Sequence, residues 1–379
     1  LGFGWQLFNM VSQRHKSRRI SRPLEKSARS FLIITIILSV LGLFFVFDAS
    51  TVESFRAFGH QYHFLQQQSI WLIVGSVALF LGLNWPLGFW EKTAFSWYAF
   101  GIILLILVFV PGLSLELNGA KRWIDFGFVT LQPIEFFKFG LVVFFASWMR
   151  KHQKIGTFIF FTGLPAILLL LQPDLGSLLI LLSIAFGMFF LAEGKLATMS
   201  GIGLLGVALI SLAIIASPYR QKRLTTFLNP ESDPLGASFH IRQITLALGN
   251  GGIFGQGLGN SRQKYSYIPE ASSDSIFAIV AEEIGFLGSL IIIGLFLAYI
   301  IYGFRLIKNI DKGSFVYLMG FGFLIWVSSQ IILNLAAVVA LVPLTGLPLP
   351  FFSSGGSSLV MVMFISGVML NISKFNNKS

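Results

Sequence analysis

The sequence predicts an all-α, polytopic integral membrane protein with about ten transmembrane helices. Three observations predict it. Of 379 residues, 55% are hydrophobic and only 11% are charged, where a soluble domain carries roughly 25%. Apolar runs of about 17 to 25 residues recur along the chain, the length that crosses a bilayer as a helix. Lys and Arg are unequally shared between alternate loops, the mark of a fixed orientation in a membrane.

The first run follows a basic stretch (Arg14, Lys16, Arg18, Arg19, Arg22, Lys26 and Arg29) and extends from Phe31 to Phe47. It is long and no small-x-small cleavage pattern follows, so it reads as a first membrane helix rather than a removed signal. The expected spans are 31–48, 69–85, 94–111, 134–149, 157–172, 175–192, 196–216, 275–303, 315–337 and 355–372. With both termini inside, inner segments hold 17 Lys/Arg and outer segments 9, with Lys138 inside a span. The positive-inside rule therefore predicts N-in, C-in. The net charge of +11 reflects this topology, and no nucleic-acid partner is expected. The organisation is a basic cytoplasmic segment, 1–30, a ten-helix membrane domain, 31–372, and a cytoplasmic tail, 373–379. With no Cys, disulfides, thiolate metal sites and Cys nucleophiles are excluded.

Most connections are short turns. Two outer segments are longer, 113–132 and 217–274, and long ordered loops usually carry function. In the larger, which joins helices 7 and 8, Ala237, Ile241, Ile244 and Leu248 recur at helical spacing and suggest an amphipathic helix at the outer interface. Six Gly between Gly249 and Gly259 permit tight turns or close approach to a ligand. The outer segment 342–358 is rich in Pro, Gly and Ser, and predicts irregular backbone sheltered by protein.

The polar run at the end of the large loop is the strongest candidate site: Arg262, Lys264, Glu270 and Asp274, directly before the apolar run from Ser275. Asp274 suits an N-cap, where an anion is favoured; it also suits a carboxylate at the water-facing mouth of a membrane helix. Lys121 and Arg122 in the smaller outer loop suit either phosphate binding or an interfacial anchor beside Trp123. Glu135 and Lys138 share a helix face and can pair, as a structural link or as a charged cavity wall. Asp174 reads as a Pro-Asp turn capping the next helix. Glu282 and Glu283, roughly 12–14 Å along the helix from Asp274, read as structural. The five His are scattered: no metal site and no Ser/His/Asp arrangement is legible.

These residues resemble the SEDS (shape, elongation, division and sporulation) family of polytopic peptidoglycan glycan polymerases. The matching stretches include Asn118-Gly-Ala-Lys-Arg-Trp-Ile, Gln132-Pro-Ile-Glu-Phe-Phe-Lys, Gln172-Pro-Asp-Leu-Gly, Asn229-Pro, Asp233-Pro-Leu-Gly and Gly255-Gln-Gly-Leu-Gly-Asn-Ser-Arg-Gln-Lys. They continue through Ile268-Pro-Glu-Ala, Asp274, Ala281-Glu-Glu-Ile-Gly-Phe-Leu-Gly, Leu349-Pro-Phe-Phe-Ser-Ser-Gly-Gly-Ser-Ser and Asn371-Ile-Ser. The Gly-Leu-Gly-Asn-Ser-x-Gln-Lys and Pro-Glu-Ala elements look like the division branch, FtsW, and its sporulation relatives; the rod-elongation branch, RodA, differs there. Ser272, Ser273 and Ser275 stand where the family usually has His, Thr and Phe, and Ile134 where it has Ser.

The resemblance implies a bacterial cytoplasmic-membrane enzyme of the division septum. Its substrate would be lipid II, the undecaprenyl-pyrophosphate-linked disaccharide-pentapeptide, and its partners a class B penicillin-binding protein and other divisome membrane proteins. The reaction would be β-1,4 transglycosylation on the outer face. The family's essential loop Asp corresponds to Asp274, and its fourth-helix Glu and Lys to Glu135 and Lys138. Converting an α-linked glycosyl pyrophosphate to a β-glycoside requires inversion, so one carboxylate takes the proton of the attacking hydroxyl. That role is expected of Asp274. Lys121, Arg122, Arg262, Lys264 and a Mg²⁺ or Mn²⁺ ion would stabilise the leaving pyrophosphate, with Glu135 and Lys138 orienting the cavity; no organic cofactor is expected. Two rivals are a lipid II flippase and a non-catalytic scaffold for the transpeptidase. The polar cluster lies at one surface and no internal repeat is visible, which favours the enzyme over a transporter.

Overall fold

A computed structural model describes residues 26–117, 120–127, 130–150, 154–193, 196–215, 217–229, 238–264 and 272–374. The basic stretch through residue 25, the Asp233-Pro-Leu-Gly stretch, the Ile268-Pro-Glu-Ala stretch with Glu270, and the tail 375–379 lie outside the described residues.

Each of the ten apolar runs is helical. In chain order the helices are α1 (Lys26–Phe58), α2 (His63–Asn84), the short α3 (Leu87–Lys92), α4 (Ala94–Leu107), α5 (Pro133–Trp148), α6 (Ile155–Leu171), α7 (Leu175–Glu193) and α8 (Leu196–Ile215). They continue as α9 (Pro218–Leu228) and α10 (Phe239–Gly251) in the large loop, then α11 (Ile276–Ile307), α12 (Phe315–Val338) and α13 (Gly356–Ser373). Among the described residues, six of them (α1, α2, α7, α11, α12 and α13) are long and apolar enough to cross a membrane; α4 and α6 are apolar but shorter. The surface pattern is that of a membrane protein. On α2, Ile73, Val77 and Phe80 form an exposed apolar stripe, while Gly75 and Gly82 face α13. A Cβ on Gly367 of α13 would lie 2.1 Å from the Leu79 carbonyl oxygen, so the two helices meet backbone to backbone.

The chain is not purely helical. The smaller outer loop forms a three-stranded antiparallel sheet of β1 (Ser114–Leu117), β2 (Ala120–Asp125) and β3 (Thr130–Leu131). The expectation of an all-α protein missed it because these strands are short. The alternation is visible in hindsight: Ala120 and Ile124 point inward, Ile124 onto Leu104 and Val108, and Lys121 points out.

The main correction concerns α11. It is broken at Gly285, whose φ of 69° and ψ of −170° are non-helical and open to glycine at little cost. Above the break, residues 276–283 are all buried. Below it, Phe286, Leu287, Leu290 and Ile291 are exposed apolar side chains. The lower part, 286–307, is roughly 33 Å long, enough by itself to cross the hydrocarbon core. The expected span 275–303 thus falls on one helix in two parts, and Glu282 and Glu283 lie, both buried, just before the break. α10 is the helix expected in the large loop. It runs beside the upper part of α11, from His240 near Ser275 to Gly251 against Ala281, where a Cβ would lie 2.3 Å from the Ala281 oxygen. The Gly-rich segment then docks into the break. Gln256 and Gly257 donate backbone N–H to the carbonyls of Glu282 and Glu283 (both 3.0 Å), and Phe286 and Leu287 donate to Gly252 and Ile253 (2.9 and 3.2 Å). The amides freed by the kink are thereby satisfied.

Candidate functional site

The segment before α13 organises the site. Residues 339–355 have irregular backbone, yet Leu347, Leu349, Phe351, Phe352 and Ser353 are buried, as the sheltered-loop expectation requires. The backbone is held by side chains. Gln330 Nε2 donates to the Pro348 oxygen (2.9 Å), Asn334 Nδ2 to the Leu347 oxygen (2.7 Å), and Gln68 Nε2 to the Ser353 oxygen (3.3 Å).

Asp274 is fixed against this segment. Its carbonyl accepts from Asn334 Nδ2 at 2.8 Å. Ser353 Oγ donates to the Ser273 oxygen (2.6 Å), and Ser354 N to the Ser272 oxygen (2.9 Å). Ser272 Oγ reaches Glu53 of α1 (3.3 Å). The cap of α11 is Ser275, not Asp274, and its side chain makes no capping hydrogen bond. Instead Ser275 Oγ donates to Asp274 Oδ1 (3.2 Å) and contacts His240 Nε2 (2.8 Å). Burial, and then the charge of Arg223, lower the His240 pKa to about 4. The sequence reading found no Ser/His/Asp arrangement because His240 is 34 residues upstream; only the parallel packing of α10 and α11 joins the three.

Arg122 is brought to Asp274. A Cβ on Gly346 would lie 3.8 Å from Arg122 Nη1 and 3.9 Å from Asp274 Oδ2, so guanidinium and carboxylate flank one turn. Arg122 is on the inward face of β2 and donates to the carbonyls of Gln172 (3.4 Å) and Pro173. Asp174 caps α7 as expected, accepting from Ser177 N at 3.0 Å and Ser177 Oγ at 2.7 Å. Arg223 of α9, not singled out from sequence, donates to the Leu344 oxygen of the same segment (3.1 Å). Lys121 is on the opposite face of β2, exposed and 4.0 Å from Glu116, so neighbouring Lys121 and Arg122 point to different sides of the sheet.

Lys138 and Glu135 pair at 2.7 Å with side chains only 1% and 2% exposed. Lys138 also donates to Gln330 Oε1 (2.9 Å) and sits 4.6 Å over the Trp326 ring. Through Gln330 the pair supports Pro348, on the segment that carries the site. Trp326, Gln330 and Asn334 lie four apart on α12, and that polar spacing in an apolar helix is the signal in the sequence that marks them.

Lys264 belongs to a separate buried cluster with Asp48 of α1 and Glu283, at 3.1 Å to each. Burial would lower its pKa, but the two carboxylates outweigh that and hold it raised. Glu283 also accepts from Ser261 N (3.2 Å), and Glu282 from Ser261 Oγ and Gln263 N, which anchors the Gly-rich segment. Arg262, between these anchors, is exposed.

The fold and site together define a helical membrane protein whose polar groups converge beneath one irregular loop. The family model described as cell cycle protein FtsW/RodA/SpoVE matches residues 28–378, and the chain belongs to that family. Stage V sporulation protein E of Bacillus subtilis is 36% identical, covering 91% of this chain and 96% of its own. The probable peptidoglycan glycosyltransferase FtsW of Coxiella burnetii is 36% identical, covering 90% and 94%. Among solved structures, a chain of a peptidoglycan synthase complex, studied for coordination of polymerization and crosslinking, superposes with a TM-score of 0.76 at 26% identity, over 92% of this chain and 98% of that one. The rod shape determining protein RodA of Thermus thermophilus superposes with a TM-score of 0.67 at 26% identity, over 92% and 97%.

Proposed function

We propose that this chain is a peptidoglycan glycosyltransferase that polymerises lipid II on the outer face of the cytoplasmic membrane, in septal wall synthesis. The observation that carries it is the placing of the Asp274 carboxylate opposite the Arg122 guanidinium across Gly346. A base and a cation flanking one turn are what an inverting displacement of a pyrophosphate needs. Asp274 takes the proton from the attacking sugar hydroxyl as that oxygen bonds to the anomeric carbon. The pyrophosphate leaves with the bonding electrons, its charge met by Arg122. Arg223, on the adjacent carbonyl, adds positive field, and the exposed Arg262 and Lys121 serve the approach of an anionic substrate. Lys264, neutralised by Asp48 and Glu283, keeps the Gly-rich segment in place rather than binding pyrophosphate. Glu135 and Lys138 hold the site's floor through Gln330.

Among the described residues, no group of three or more His, Asp or Glu is arranged to hold a metal ion. A Mg²⁺ or Mn²⁺ ion would be held chiefly by the substrate's pyrophosphate, whose charge it would help to neutralise. In this reading the chain spans the membrane ten times with both termini inside, an arrangement that the unequal loop charges support. A class B penicillin-binding protein is the partner this reading expects, with other divisome membrane proteins beyond it; the match to a chain of a peptidoglycan synthase complex supports it.

The test is a glycan-strand assay on the purified chain, with and without its cognate class B penicillin-binding protein, supplied with lipid II and Mg²⁺ or Mn²⁺. Wild type should yield long strands and Asp274→Asn none, with thermal unfolding in detergent unchanged. Wild-type rates in the mutant would remove the base assignment. Absence of strands under every condition from folded protein would return the flippase and scaffold readings.

A further inference from the structure

We infer that Ser275 and His240 are positioning residues for Asp274, forming a hydrogen-bonded chain that ties one carboxylate oxygen and aims the other at the reacting hydroxyl. The inference rests on the reading of Asp274 as general base.

The geometry is specific. An N-cap serine normally spends its hydroxyl on an amide of the first turn. Ser275 does not: its φ of −103° and ψ of 7° differ from the extended backbone usual at that position, and Ala278 N is served by the Ser275 carbonyl at 2.9 Å. The hydroxyl is fully buried and lies between Asp274 Oδ1 at 3.2 Å and His240 Nε2 at 2.8 Å. A hydroxyl has one proton to give. When Asp274 is ionised, that proton goes to Oδ1, and His240 must then donate its Nε2 proton to Ser275 Oγ. The chain so fixes the tautomer of His240 as well as the rotamer of Asp274.

The consequence is a division of labour between the two carboxylate oxygens. Oδ1 is tied to Ser275, while Oδ2 is the oxygen beside Gly346, on the side of Arg122. Oδ2 is the base. When the sugar hydroxyl attacks, its proton moves to Oδ2, and Ser275 keeps its own. No proton passes to His240, which stays neutral as a donor; the proton on Oδ2 leaves to water once the product moves on. The main chain is held independently, because Asn334 grips the Asp274 carbonyl. Removing the chain therefore takes away the hydrogen bond that orients Oδ1 without moving the loop.

The experiment is steady-state polymerisation of lipid II by the full chain with its class B partner, on Ser275→Ala, His240→Leu, the double variant, His240→Gln and Asp274→Asn. Thermal unfolding is followed alongside. Ser275→Ala and His240→Leu should each lower kcat by about 10- to 100-fold, the scale of a misplaced catalytic group, with KM for lipid II unchanged. The double variant should be no worse than either single one, since both break one chain. His240→Gln, whose amide can donate to the serine without titrating, should recover most of the rate. Wild-type kcat in Ser275→Ala and His240→Leu beside an inactive Asp274→Asn would overturn the positioning chain and leave the base in place. A raised KM at unchanged kcat would overturn it too, by making these residues substrate contacts. Wild-type rates in Asp274→Asn would overturn the reading beneath it.

Discussion

Lys138 is sealed inside the helix bundle, with Glu135, Gln330 and the Trp326 ring as its surroundings. Breaking one side of a buried pair leaves the other charge stranded, at a cost of about 3–5 kcal/mol. Lys138→Met should therefore destabilise the protein strongly in detergent unfolding, and the double change Glu135→Gln, Lys138→Met should regain much of the loss. Equal stability of the single and double variants would refute the pair as the cause. His240 gives a pH dependence with a definite sign. Its folded pKa, about 4, lies below the usual 6.5 because of burial and Arg223. Below pH 6.5 the unfolded state binds more protons, so His240's contribution is present above that pH and is lost as pH falls toward 4. The charged groups that act on it are Arg223 on α9 and Asp274 through Ser275. Hydrogen exchange along α10 should accelerate between pH 6.5 and 4, and His240→Gln should remove that slope.

At the scale of elements, the broken helix α11 decides how the large loop sits. Gly255 and Gly285 meet closely: a Cβ on Gly255 would lie 2.1 Å from the Glu283 oxygen, and one on Gly285 2.3 Å from Gly255 N. Gly285 also has a positive φ of 69° that L side chains rarely adopt. Gly285→Ala should unseat segment 252–264 and release Lys264 from Asp48 and Glu283. Limited proteolysis would then cut between 252 and 264 in the variant and not in the wild type; identical protection would show that the segment does not depend on the break. The ten apolar runs were legible because burial in lipid writes itself into composition. The break was not, since a glycine inside an apolar run carries no mark distinguishing a kink from close helix packing. The same limit hid the sheet around Arg122, whose strands are too short for their alternation to stand out.

For the whole molecule, the absence of Cys makes orientation directly testable. Arg262→Cys should react in intact cells with a membrane-impermeant maleimide, while Lys312→Cys should react only after permeabilisation. The reverse pattern would invert the topology and move Asp274 to the wrong side for lipid II polymerisation. The apolar helices, the expected orientation and the choice of Asp274 as candidate carboxylate could be read from sequence alone, because each reading uses local properties: apolar length, loop charge, and a polar run at a helix mouth. Asp274, Glu135 and Lys138 were visible because an ionisable group beside or within an apolar run is costly and stands out. The partners were not. Arg122 and Asp274, 152 residues apart, both lie beside Gly346, His240 reaches Asp274 through Ser275, and Lys264 is taken up by Asp48 from the first helix. Only the tertiary structure decided which cations face the carboxylate and which are neutralised, because the packing of helices distant in sequence sets both the distances and the burial on which those interactions depend.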